Sequence, residues 1–143
     1  MKSVVVPITD SKDTQWAVNH VIALHRSDPL RVHLLSVQPP LSQHISRFFS
    51  HGEIHDFHRD NGMLALKPAI ESLDREGVPH WDHVLVGPQA ETIVRFARDY
   101  HCSQIIIAKR NNGLLSSFGL GSIGSQIRHL IGAGTGCEIS EVA

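Results

Sequence analysis

The sequence predicts an α/β fold, a three-layer α/β/α arrangement around a five-stranded, mainly parallel sheet. Three observations predict it. The apolar runs are short, continuous and β-branched, as strands buried on both faces require. Segments of helical spacing alternate with these runs, and strands alternating with helices imply a parallel sheet with right-handed crossovers. At 143 residues the chain fits a single domain, 1–143, and a domain of that size hides roughly two-thirds of its unfolded surface, enough for a core without disulfide or metal.

The first strand is Ser3–Ile8 (SVVVPI). A helix follows, capped by Ser11, with Trp16, Val18, Val21, Ile22 and Leu24 mostly on one side and Asp28-Pro29 closing it. The second strand, Arg31–Val37 (RVHLLSV), stops at Gln38-Pro39-Pro40. Leu41–Asn61 then reads as a polar connection rich in His and Phe. The next helix carries Leu66, Ile70 and Leu73, ends near Gly77, and is kinked or begun by Pro68, which lacks an amide proton. A third strand, Trp81–Val86, stops at Gly87-Pro88. Helical Gln89–His101 places Ala90, Ile93, Val94 and Ala97 on one stripe. The fourth strand is Gln104–Ala108, the last helix Ser122–Ile131, and the tail Cys137–Val142 alternates weakly as an edge strand. In such folds ligands bind beyond the carboxyl ends of the strands, near the topological switch point. That rule directs attention to Pro7–Ser11, Val37–Pro40, Gly87–Ala90 and Lys109–Ser122.

Composition excludes several function classes. Thirteen basic against fourteen acidic residues leave a formal charge of -1, so no whole-protein field gathers nucleic acid or an anionic membrane. Cys102 and Cys137 lack CxxC spacing, which fits a reducing compartment, and the cytoplasm is the expected location. The amino-terminal apolar run is too short for a signal peptide, and no stretch of about 18 apolar residues offers a membrane span, so a soluble, unprocessed chain is expected.

Three constellations bear on chemistry. In AKRNNGLLSSFGLGS, residues 108–122, small residues let a backbone approach phosphate, and the amides of the following helix supply donors. Gly119, Gly121 and Ser122 fit that role, although the stretch lacks the lysine of a P-loop and the spacing of a dinucleotide fingerprint. In SHGEIHDFHRD, residues 50–60, a helical conformation would put His51, His55 and His58 on one face, a pattern able to hold zinc or nickel. No matching ligands recur at diagnostic spacing, so a metal-free segment, mobile or lying on the surface, is expected. Phe48, Phe49 and Phe57 would anchor that connection or face a partner. No catalytic residue is assigned: Ser116, Ser117, Ser122 and Ser125 lack a nucleophile elbow and an identifiable base, and Cys102 reads as a small apolar packing group. The remaining histidines, among them His20, His25, His33, His80 and His83, share no spacing and read as surface or satisfied groups.

Taken in order, VVVPITDS, LLSVQPP, VGPQAETIV and IIIAKRNNGLLSSFGLGSIGSQIRHL resemble the universal stress protein (UspA-like) family over residues 2–131. The resemblance implies a Rossmann-like sheet, a stress-response role in nucleotide sensing or protein interaction, and frequent dimerisation. It also implies a choice between ATP-binding and non-binding groups. The binders carry Gly-x2-Gly-x9-Gly-(Ser/Thr). Here the last pair falls on Gly121-Ser122, while the first two glycines fall on Ala108 and Asn111. Asn111 tolerates left-handed backbone angles. Pro7-Ile8 is followed by Thr9, with Asp10 one place later than the family's acid, and Val37 matches the position that touches adenine through its backbone. A crevice lined by Ile8, Thr9, Val37, Asn111, Gly121, Ser122 and Ile123 is therefore expected. Its ligand would be ATP or another adenine nucleotide, weakly held, with magnesium only as the nucleotide's companion and at most slow ATP hydrolysis. The alternative is an adenine-nucleotide hydrolase on the same fold, which would need an SGGxDS-like loop where PITDSKD stands. A receiver domain is excluded because the third strand ends in Gly87. Pairing of final strands is the family's usual dimer, yet the tail GTGCEISEVA places Glu138 and Glu141 in or beside that strand, where opposed carboxylates repel unless a basic residue or a register shift intervenes. The expectation is a homodimer of moderate affinity, tighter at lower pH and held partly by other surfaces, with room for a further protein partner.

Overall fold

Each β-branched run forms a strand, and the strands join in one sheet. The structure, a computed structural model, describes residues 1–9, 14–108, 123–132 and 136–142. Five strands, β1 (Lys2–Pro7), β2 (Leu30–Gln38), β3 (His80–Val86), β4 (Gln104–Ala108) and β5 (Glu138–Val142), take the order β3-β2-β1-β4-β5. Every pairing is parallel, so the sheet is all-parallel. Helices α1 (Thr14–Ser27) and α3 (His51–Arg75) cover one face; α4 (Gln89–Asp99) and α5 (Ile123–Ile131) cover the other. The two apolar layers follow the alternation of β1: Val4 and Val6 face the α1/α3 side, and Val5 faces the α4/α5 side. The Ser11 cap lies outside the described residues. Trp16, expected on the buried stripe of α1, is 40% exposed, while Val18, Val21 and Ile22 are buried.

Leu41–Asn61, expected as a connection, is largely helical. A short α2 (Gln43–Ser46) is followed by α3, which starts at His51. The cause is a reciprocal cap: Glu53 N–H donates to Ser50 Oγ at 3.1 Å, and Ser50 N–H donates to the Glu53 carboxylate at 3.0 Å. The Ser-x-x-Glu pattern was present in the sequence and marks the true helix start. What hid the helix is its inward stripe, His58, Gly62, Leu66, Ala69 and Leu73, whose first turns carry no large apolar residue. Pro68 is therefore not the beginning of a helix but lies inside one, on its exposed side, where water can take the carbonyl freed by the missing amide. Gly77, at φ 70°, closes α3 as expected, with Val78 N–H reaching the Leu73 carbonyl at 2.9 Å.

Candidate functional site

The chain leaves β1 toward α1 on one face and leaves β4 toward α5 on the other, although β1 and β4 are neighbours. This reversal opens the sheet's carboxyl edge between them, the place where parallel α/β sheets bind ligands. Ile8 N–H donates to the Leu35 carbonyl at 2.8 Å, and Pro7 pairs with Leu35, so Ile8 and Thr9 continue beside Ser36 and Val37. Val37 is half-buried against the α4/α5 layer, as is Ile123 at the first turn of α5. Thr9, Val37 and Ile123 thus stand at one edge of the sheet. Ile8 differs from the expectation: its side chain is 5% exposed within the α1/α3 layer, so it belongs to the core and leaves only backbone at the edge. Asn111, Gly121 and Ser122 lie outside the described residues.

Local hydrogen bonds fix this edge. Thr14 Oγ1 donates to the Thr9 carbonyl at 3.1 Å and meets Thr9 Oγ1 at 3.2 Å, tying the end of β1 to the start of α1. Gly87 N–H donates to the Gln38 carbonyl at 3.0 Å, extending the β2–β3 pairing by one residue. A Cβ on Gly87, at φ 156°, would sit 2.7 Å from Thr92 Oγ1, so only glycine fits between β3 and α4. A groove of about 390 Å³ runs from Pro88 and Gln89 to Gln126 and Leu130 between α4 and α5. Ala108, which stands where the resemblance has its first glycine, packs its methyl against the α1/α3 layer.

The histidine cluster does not assemble. His51 and His55 are exposed whereas His58 is 5% exposed, with Nδ1 buried and unpartnered. Among the described residues no group of three metal-ligating side chains converges. Phe48, Phe49 and Phe57 are 70%, 50% and 48% exposed and so do not anchor the segment. Cys102 packs as expected, and burial, followed by its neighbour Cys137, pushes its thiol up to about 12.

Sequence spacing concealed two histidine arrangements. His33 Nδ1 lies 3.0 Å from His83 Nε2, in a cluster with Phe96 and Tyr100, whose rings stack at 4.2 Å. His80 bridges Asp74 and Asp82, each at 2.7 Å, and fastens the end of α3 to β3. The first joins residues 50 apart in sequence that only the sheet brings together, and the second gives both ring nitrogens of His80 a carboxylate partner.

The profile of the Universal stress protein family matches residues 1–131. Among solved structures, a universal stress protein in complex with cAMP superposes with a TM-score of 0.75 at 15% identity, covering 99% of this chain and 97% of that one. The universal stress protein from Archaeoglobus fulgidus in complex with dAMP gives 0.68 at 16% identity over 100% and 98%. A family member from Arabidopsis thaliana with AMP bound gives 0.64 at 15% identity over 99% and 91%. No curated protein sequence matches the chain significantly.

Proposed function

This chain belongs to the universal stress protein family, and we propose that it is a nucleotide-responsive interaction module whose ligand is an adenine nucleotide held at the β1/β4 edge. The observation that carries the reading is the edge itself: Thr9 and Val37 side by side where β1 and β4 diverge, with the first turn of α5 on the same side as Val37. Similar folds crystallised with cAMP, dAMP and AMP support the ligand class. The packing of the Ala108 methyl into the α1/α3 layer supports tolerance of alanine at that position. The replaced glycines support weak rather than tight binding. The ligand acts by population shift: it favours whichever arrangement of the dimer or partner surface binds it better. A cytoplasmic location and a stress-response role are part of the same proposal. No helix among the described residues is long and apolar enough to cross a membrane.

Mass spectrometry of small molecules released by denaturing the purified protein is expected to find an adenine nucleotide. Calorimetry is expected to show ATP binding that Gly121→Val weakens about tenfold or more, a loss of at least about 1.4 kcal/mol, because a branched side chain there meets the phosphates. Absence of both nucleotide and binding heat refutes the reading. Binding that survives the substitution moves the site elsewhere.

A further inference from the structure

Cys102 and Cys137, far apart in sequence, meet in one cavity at the amino end of the sheet. After Tyr100 caps α4, His101 takes a left-handed backbone, φ 53°, and turns the chain so that Cys102 N–H reaches the Ala97 carbonyl at 2.8 Å. The Cys102 side chain then enters the α4/α5 layer, 5% exposed. Across the sheet Glu138 N–H donates to the Ser103 carbonyl at 2.9 Å and Gln104 pairs with Glu138, which sets Cys137 beside Ser103, one residue from Cys102. Both cysteines stand just before the first residues of the adjacent strands β4 and β5, which run about 4.8 Å apart, so their side chains reach one pocket. Cys137 packs against the same apolar cluster as Cys102. Both line a cavity of about 310 Å³ whose walls include Val94, Arg98 and Ile131, and both thiols are free.

We propose that Cys102 and Cys137 form a reversible intramolecular disulfide, a redox modification site at the opposite end of the sheet from the nucleotide edge. The oxidant is a low-molecular-weight disulfide. The thiolate of Cys137, the less buried of the two, attacks one sulfur of the oxidant and displaces a thiolate. Cys102, once deprotonated, attacks the Cys137 sulfur of the mixed disulfide and displaces the second. The protein loses two hydrogens, and the oxidant leaves as two thiols. Burial raises both thiols, Cys137 also through Glu138, so the reaction is slow at neutral pH and accelerates as pH rises. The bond closes a loop from Ser103 to Gly136 that contains α5 and residues 109–122. A change in ATP affinity on oxidation therefore follows only if the nucleotide reading holds, whereas the bond itself does not depend on it.

The test incubates the reduced full chain with oxidised glutathione, then alkylates it in denaturant and measures intact mass. The expected result is a monomer lighter by two hydrogens, unalkylated at both cysteines, yielding one peptide pair that links Cys102 to Cys137. Dithiothreitol should reverse it. The thermal midpoint should rise on oxidation, because a cross-link restricts the unfolded chain, and should not move in Cys137→Ser or Cys137→Ala. Two alkylated cysteines after prolonged oxidation, a persistent glutathione adduct on Cys137, or disulfide-linked dimers as the product would each overturn the proposal.

Discussion

Gly62 is where one added carbon decides how α3 meets the sheet. A Cβ there would fall on the methyls of Val84, a β-branched side chain with little rotamer freedom. Gly62→Ala gains about 1 kcal/mol of helix propensity but forces an overpacked contact worth about 1–3 kcal/mol, so urea denaturation should show a net loss. Thr92 points the other way. Its Oγ1 is buried without a partner, so Thr92→Val should leave the urea midpoint unchanged or raise stability by up to about 1 kcal/mol. The third residue-scale effect is titration. Burial, aided by His83 and Arg31, lowers His33 to about 4, and burial lowers His83 against the contrary pull of Asp82. The unfolded chain takes up a proton at His33 near pH 6.5 and the folded chain only nearer 4, and His83 is shifted in the same direction. The contribution of His33 is therefore complete above about pH 6.5 and is lost as pH falls toward about 4, on the order of 2–3 kcal/mol. His80 has the opposite sign. Burial lowers it, but the hydrogen bonds to Asp74 and Asp82 prevail and raise it, so its contribution is full below about pH 6.5 and fades as pH rises through its folded value. Urea midpoints followed from about pH 7 to about pH 4.5 should fall in the parent protein and fall less in His33→Phe.

At the scale of the element, α3 depends on its start. Its first two turns are exposed apart from His58 and half-buried Ile54, so tertiary packing contributes little there and the Ser50–Glu53 cap carries the initiation. Ser50→Ala should cost about 1 kcal/mol in thermal denaturation and lower helicity by circular dichroism, whereas the same change at exposed Ser42, which caps only the single turn of α2, should cost less. The last pair of elements shows the reverse dependence. Gly124 leaves room for the Glu141 carboxylate, which also pairs with Arg128 at 3.0 Å, so side chains of β5 and α5 fix each other.

For the whole molecule the question is the free edge of β5. Arg128 already engages Glu141, supplying the basic residue that the opposed-carboxylate argument requires and leaving Glu138 as the exposed charge. Glu138 N–H points to β4, so the N–H groups of Ile139 and Glu141 point outward, an unpaired row suited to a second copy. The proposed homodimer should appear in light scattering coupled to gel filtration as a concentration-dependent species. Glu141→Pro, which removes an outward donor without touching the β4 ladder, should shift it to monomer. A monomer at every concentration would refute the dimer, and a dimer indifferent to the substitution would place its interface elsewhere.

The alternation of strand and helix, all five strands, and the family were legible in the sequence, because each rests on a local period or on motifs of fixed order. Val4, Val5 and Val6 read as a strand wherever they occur, and Gly77 and Gly87 end their elements through backbone geometry alone. Tertiary structure decided what depends on neighbours distant in the chain. It drew His58 and Gly62 inward beneath a helix whose first turns carry no apolar stripe, and it sent Ile8 into the core while leaving Thr9 and Val37 at the edge. It also joined His33 to His83, and brought Cys102 to Cys137 through the parallel register of β4 and β5. No periodicity encodes such pairs, since the distance between two residues of a sheet is set by strand order and register rather than by their separation along the chain.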